Sequence, residues 1–125
     1  MASILKVDNI GKTSGKTQDT MAGLSKAWIQ LNGSGTIAAR DSFNIGSTTD
    51  NGTGNYSYAF SNNMNAADYA ITTGGNYLLT SFVGNTGCPA NTHATSGFDT
   101  ESYNSVYSAA LDYAYVSADI KGDLA

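Results

Sequence analysis

No apolar stripe at helical spacing persists along this chain for more than a turn or two, and no heptads appear. Short runs of β-forming residues instead alternate with clusters of Gly, Asn, Asp, Ser and Thr, at intervals of about 8–12 residues, the rhythm of a sandwich or barrel. Ser3–Ile10 is extended, with Ile4, Lys6 and Asp8 on one face and Leu5 and Val7 on the other. Gly11–Thr20 is a polar loop. Lys26–Leu31 is a strand carrying Trp28, and Asn32-Gly33-Ser34-Gly35 turns it into a hairpin partner at Thr36–Ile45. Asn-Gly marks such a turn because both residues tolerate positive φ. Asp50–Gly54 forms a second turn before Tyr56–Phe60, where Tyr56, Tyr58 and Phe60 share one face by the period of two.

Further along, the pattern predicts a helical turn at Asn62–Asp68, a strand at Tyr69–Thr72, a turn at Gly74-Gly75-Asn76 and a strand at Tyr77–Val83. Gly84–Gly97 is a long loop without patterning that holds the one proline, Pro89, and strands follow at Phe98–Ser108 and Tyr113–Ile120. The predicted fold is all-β: a single antiparallel β-sandwich or jelly-roll-like domain over residues 21–125, preceded by a short extended N-terminal arm over residues 1–20. Its core is expected to be nucleated by Trp28, Ile29, Leu31, Ile37, Phe43, Phe60, Ile71, Leu78 and Phe82. Arg40 and Asp41, adjacent in a strand, point to opposite faces and are each expected to bond a different segment or subunit.

Composition bears first on assembly. The 125 residues suit one domain. Large aliphatics are sparse, since alanine and tyrosine supply much of the 41% hydrophobic content. A thin core of this kind favours added burial between subunits. Only 13% of residues are charged, with a net charge of −4. Six scattered Lys and Arg form no basic stripe for phosphates, so nucleic acid is not an expected partner. One Trp, eight Tyr and four Phe oppose disorder. No apolar run approaches membrane-spanning length, so membrane insertion is not expected. The start shows no charged n-region followed by an apolar h-region, which reads as synthesis in a cytoplasm without classical export. Cys88 is the lone cysteine, which excludes an intrachain disulfide.

The chemical motifs are weak. Gly11-Lys12-Thr13-Ser14-Gly15-Lys16-Thr17 falls one residue short of a P-loop, which needs four residues between its first Gly and the Gly-Lys-Thr. Neither the preceding buried strand nor the following helix is present. Asp50–Asn55 lacks the alternating oxygen ligands and bidentate Glu of a calcium loop. Asp112, Asp119 and Asp123 make no carboxylate pair at a readable glycosidase spacing. His93, the only histidine, reads as a solvated loop residue, the sharper alternative being a metal ligand repeated around a trimer axis. The chain therefore reads as a non-enzyme without a cofactor. Its distinctive supply of binding chemistry is tyrosine on strands, which suits packing against a sheet or subunit and, alternatively, sugar stacking. The Gly84–Gly97 loop is the candidate contact for a partner or receptor, through Asn85, Thr86, Pro89, Asn91 and His93, because long loops on a rigid scaffold concentrate function.

Lys26-Ala27-Trp28, Asn32-Gly33, Arg40-Asp41-Ser42 and Asp50-Asn51-Gly52-Thr53-Gly54, in that order, lie within a stretch, Ala27–Thr73 and its flank, that resembles the C-terminal fibre domains of tailed-bacteriophage tail-fibre proteins, notably phages of aquatic bacteria. The opening Ala2–Ile10 and closing Leu111–Asp123 also look familial, whereas Gly84–Gly97 is not covered. The resemblance implies a virion structural protein, made in a host bacterium's cytoplasm and assembled on a phage tail or capsid. It implies a homotrimer contacting other virion proteins and a host surface glycan or protein, and it carries no catalytic residue across. The alternative is a capsid decoration protein with a purely structural role. Such domains usually end a long fibre, whereas here the domain begins close to Met1, so Ile4, Leu5 and Val7 of the arm are the candidates for virion attachment or trimer contact.

Overall fold

The computed structural model describes residues 24–76, 85–87, 92–104 and 109–125. The arm residues Ile4, Leu5 and Val7, the core candidates Leu78 and Phe82, and Pro89 and Asn91 of the loop lie outside these residues.

Among the described residues, nine strands make two antiparallel sheets packed as a β-sandwich. They are β1 (Ser25–Asn32), β2 (Ala38–Phe43), β3 (Ile45–Gly52), β4 (Asn55–Phe60), β5 (Ala70–Asn76), β6 (Asn85–Gly87), β7 (Gly97–Asn104), β8 (Ala109–Ala110) and β9 (Tyr115–Lys121). The first sheet runs β2-β1-β9-β5; the second runs β3-β4-β7-β6, with β8 also on β7. The hairpin predicted at Asn32–Gly35 is present as β1 with β2, and the turn predicted at Asp50–Gly54 joins β4 to a strand, β3, that was not predicted.

Alternation builds the core. On β1, Ala27, Ile29 and Leu31 point inward and face Ile120, Ala118 and Val116 of β9 in register. From the second sheet come Tyr56, Tyr58 and Phe60 of β4, opposed by Phe98, Thr100 and Ser102 of β7. Each buried large apolar side chain stabilises the fold by roughly 1.5–3 kcal/mol. The rings add directional contacts: Tyr58 stacks on Phe98 at 4.7 Å between centroids, and Tyr69 meets Phe60 edge-on at 5.6 Å. The Tyr58 hydroxyl bonds Thr100 Oγ1 at 3.0 Å, so a polar tip is satisfied inside the core. Gly97 lets the start of β7 lie close beside β4, since a Cβ there would stand 2.1 Å from the Tyr58 carbonyl oxygen.

Several expectations are corrected. Trp28 is only half-buried and Phe43 is 54% exposed, because both lie on the outer face of the first sheet, opposite each other in register. Ile37 and Ile71 are partly buried against the core. The predicted strand Thr36–Ile45 ends at Asn44, whose φ of 56° turns the chain into β3 in the other sheet. Asn44 holds that corner: its Nδ2 donates to the carbonyls of Lys26 and Asn62, and its Oδ1 accepts the Asn62 amide at 2.7 Å. The predicted helical turn at Asn62–Asp68 is instead an irregular, bent crossing tied to the C-terminus, with Met64 bridged to Leu124 and the Asn65 amide bonded to Asp123 O. Gly74-Gly75-Asn76 is not a turn, since all three residues pair with β9.

Candidate functional site

Because Ala27, Ile29 and Leu31 face inward, Trp28 and Gln30 must face outward, and the same period governs β9 and β5. Two rows of side chains therefore cross the outer face of the first sheet. One runs Phe43, Trp28, Asp119, Thr72; the other runs Asp41, Gln30, Ser117, Gly74. Tyr115, opposite Asn76, stands beyond the second row.

Two adjoining depressions lie one on each side of the second row. One, of about 350 Å³, is flanked by Trp28 and Asp119; the other, of about 400 Å³, is flanked by Tyr115 and Asn76. Gln30, Gly74 and Ser117 line both, so together they form one groove with an aromatic residue toward each end. A register shift between Gln30 and Leu31 accompanies Arg40 on the neighbouring strand. Its guanidinium donates to the Ala114 carbonyl at 3.0 and 3.3 Å and lies 4.3 Å from the Tyr115 ring centroid, bracing that wall. Arg40 thus bonds a different segment as expected, whereas Asp41 accepts the adjacent Ser42 amide at 2.8 Å rather than reaching another segment.

At the other end Asp119 accepts hydrogen bonds from Lys121 and from Ser25 Oγ. Those two bonds, Lys121 first, hold its carboxyl below the ordinary carboxylate range. The pair is solvent-facing and contributes little to stability, but it neutralises the charge at that end.

The loop candidates sit elsewhere. Asn85 and Thr86 are in β6, paired with Tyr103 and Ser102, rather than in an unpatterned loop. His93 is exposed, its ring 5.2 Å from that of Tyr69. The turn after it is fixed: Ala94 and Gly97 bond each other through both backbone pairs, and the Tyr69 hydroxyl reaches both carbonyls, at 3.0 and 2.8 Å. Among the described residues no group of three His, Cys, Asp or Glu is set to hold a metal ion. The structure thus brings the described loop candidates to the second sheet and its edge, and the groove on the first sheet is a site the sequence reading missed. The signal for it was present. Ile29 and Leu31 cannot both face the core unless Trp28 faces away.

No known protein family, curated protein or solved structure matches the chain. The groove combines aromatic rings with amide, hydroxyl and carboxylate groups on a rigid sheet, a set suited to non-covalent recognition.

Proposed function

We propose that this chain is a virion structural module of a tailed bacteriophage, a fibre-type homotrimer that contributes to host attachment and catalyses no reaction. The reading is supported by the ordered set of motifs, each with a structural task here, that resembles the pattern of phage fibre domains. Asn32-Gly33 opens the β1–β2 turn, and Asp50–Gly54 spans the β3–β4 turn, where Asp50 caps the Gly52 amide at 2.9 Å. Arg40 braces Tyr115. Lys26-Ala27-Trp28 supplies one inward and two outward positions of β1.

Native mass spectrometry and sedimentation test the assembly, with a trimer expected and a stable monomer at micromolar concentration refuting it. Labelled purified protein should bind whole host cells. Absence of cell binding, together with a copy number in the virion near that of the capsid subunit, would replace attachment by capsid decoration. Turnover of host polysaccharide by the purified protein would overturn the non-enzymatic reading.

A further inference from the structure

We propose that the groove on the outer face of the first sheet binds neutral pyranose rings of a surface glycan. The inference rests on reading the chain as an attachment module and names the ligand class and the site.

Gly74 is the first reason. Glycine in a strand interior weakens the strand, and it marks places where a ligand or another backbone approaches closely. No left-handed backbone demands it here, since Gly74 does not adopt a positive φ. A Cβ would meet only the Ser117 hydroxyl, at 3.1 Å, and that hydroxyl donates to the Gly74 carbonyl at 3.2 Å. The absent side chain therefore leaves room above the sheet rather than easing the packing below it.

The second reason is Gln30, in the middle of the groove and half-buried. Its side-chain amide has no hydrogen-bond partner among the described residues. An amide carries two donors and an acceptor, which matches adjacent sugar hydroxyls that both give and accept. Trp28, and the part of the Tyr115 ring that the Arg40 guanidinium leaves uncovered, offer apolar surface for the C–H face of a sugar with little side-chain entropy to lose. Asp119, opposite Trp28, is four residues from Tyr115 along β9, about 13 Å by the strand rise, so the groove suits an oligosaccharide better than a single ring.

Charge selects a neutral ligand. Arg40 is engaged by Tyr115 and the Ala114 carbonyl, Lys121 by Asp119, and Lys26, two residues before Trp28 on the same face, by the Leu24 carbonyl at 3.3 Å, so each of these cations already has a partner. Extended peptides dock by main-chain bonds at a sheet edge. This groove is floored by β1, β9 and the edge strand β5; β1 and β9 are already paired on both sides, and a peptide strand could add only at the outer edge of β5, away from Trp28 and Gln30.

Trp28 is the only tryptophan, so intrinsic fluorescence reports on the groove directly. The full chain is titrated with neutral oligosaccharides of glucose, galactose, mannose and N-acetylglucosamine, followed by fluorescence and calorimetry. A saturable change with at least one of them is expected. Gly74→Val, which fills the floor, and Gln30→Ala should each weaken that binding tenfold or more, with the circular dichroism melt and oligomeric state unchanged. No saturable response to any sugar, or full affinity in folded Gly74→Val, would overturn the proposal. So would dissociation of the oligomer by Gly74→Val, which would make the groove a subunit contact. Host-cell binding that survives in Gly74→Val sinks the sugar groove and leaves attachment standing. Sugar binding without any cell binding sinks attachment alone.

Discussion

Replacing Tyr56 by Phe removes a single oxygen from a clasp between the two sheets. Tyr56 belongs to β4, and its ring is wholly buried. Its hydroxyl lies 2.8 Å from Asp112 Oδ1, before β9, and 3.0 Å from the carbonyl of Gly33, after β1. One proton serves two acceptors, and the carboxylate is the stronger of them. The same Asp112 oxygen accepts the Gly54 amide at 2.7 Å, and the Gly33 amide donates to Tyr113 O at 2.9 Å. Phe keeps the ring and its packing, so the loss is that of one hydrogen bond to a charged group, roughly 1.5–3 kcal/mol. We expect urea melts to show a loss of about 2 kcal/mol with an unchanged m-value. A double-mutant cycle with Asp112→Asn should give a coupling of about 1–2 kcal/mol, since the two groups touch. A Tyr56→Phe change within about 0.5 kcal/mol, the range of surface substitutions, would refute the clasp, as would additive single effects.

Ile29→Ala should cost about 3 kcal/mol, as for other large-to-small core changes, and Trp28→Ala only about 1–2 kcal/mol because the indole is half-buried; the reverse order in denaturant melts would put the indole in the core. Gly97→Ala forces a Cβ against the Tyr58 carbonyl and should cost about 3 kcal/mol or more, so an unchanged melt would contradict the close approach of β7 to β4. Burial pushes the Tyr58 phenol up to about 12, and burial raises Tyr56 and Tyr113 as well. A raised folded-state value stabilises fully below the ordinary 10.0 and is lost as pH climbs toward 12, so unfolding and late tyrosinate absorbance should coincide there. Titration of all eight tyrosines near pH 10 with the fold intact would contradict this.

Strands with a strong period of two were legible in the sequence. Tyr56, Tyr58 and Phe60 fall on the buried face as alternation requires, and both glycine turns close hairpins. β3 was not legible beyond Ile45, because Gly-Ser-Thr-Thr-Asp-Asn-Gly is polar on both faces and is held by its ladder to β4. The run Gly74-Gly75-Asn76 carries turn chemistry but spends its backbone on β9, a tertiary partner no local signal announces. Trp28 was misplaced by weighing hydrophobicity above parity along the strand. The groove followed it out of sight, since its floor depends on β1, β5 and β9 lying side by side.

That parity has an evolutionary consequence. Along β1 and β9 every second residue belongs to the interior and the others to solvent, so the two sets answer to different pressures. Substitutions at Trp28, Gln30, Ser117 or Asp119 alter what the outer surface can recognise, while Ala27, Ile29, Leu31, Val116, Ala118 and Ile120 go on holding the sheets together. A lineage under pressure to alter this surface could revise it one side chain at a time, with each intermediate still folded. The same ladder forbids the insertion or deletion of a single residue in either strand, since that would exchange the two sets and turn the interior outward.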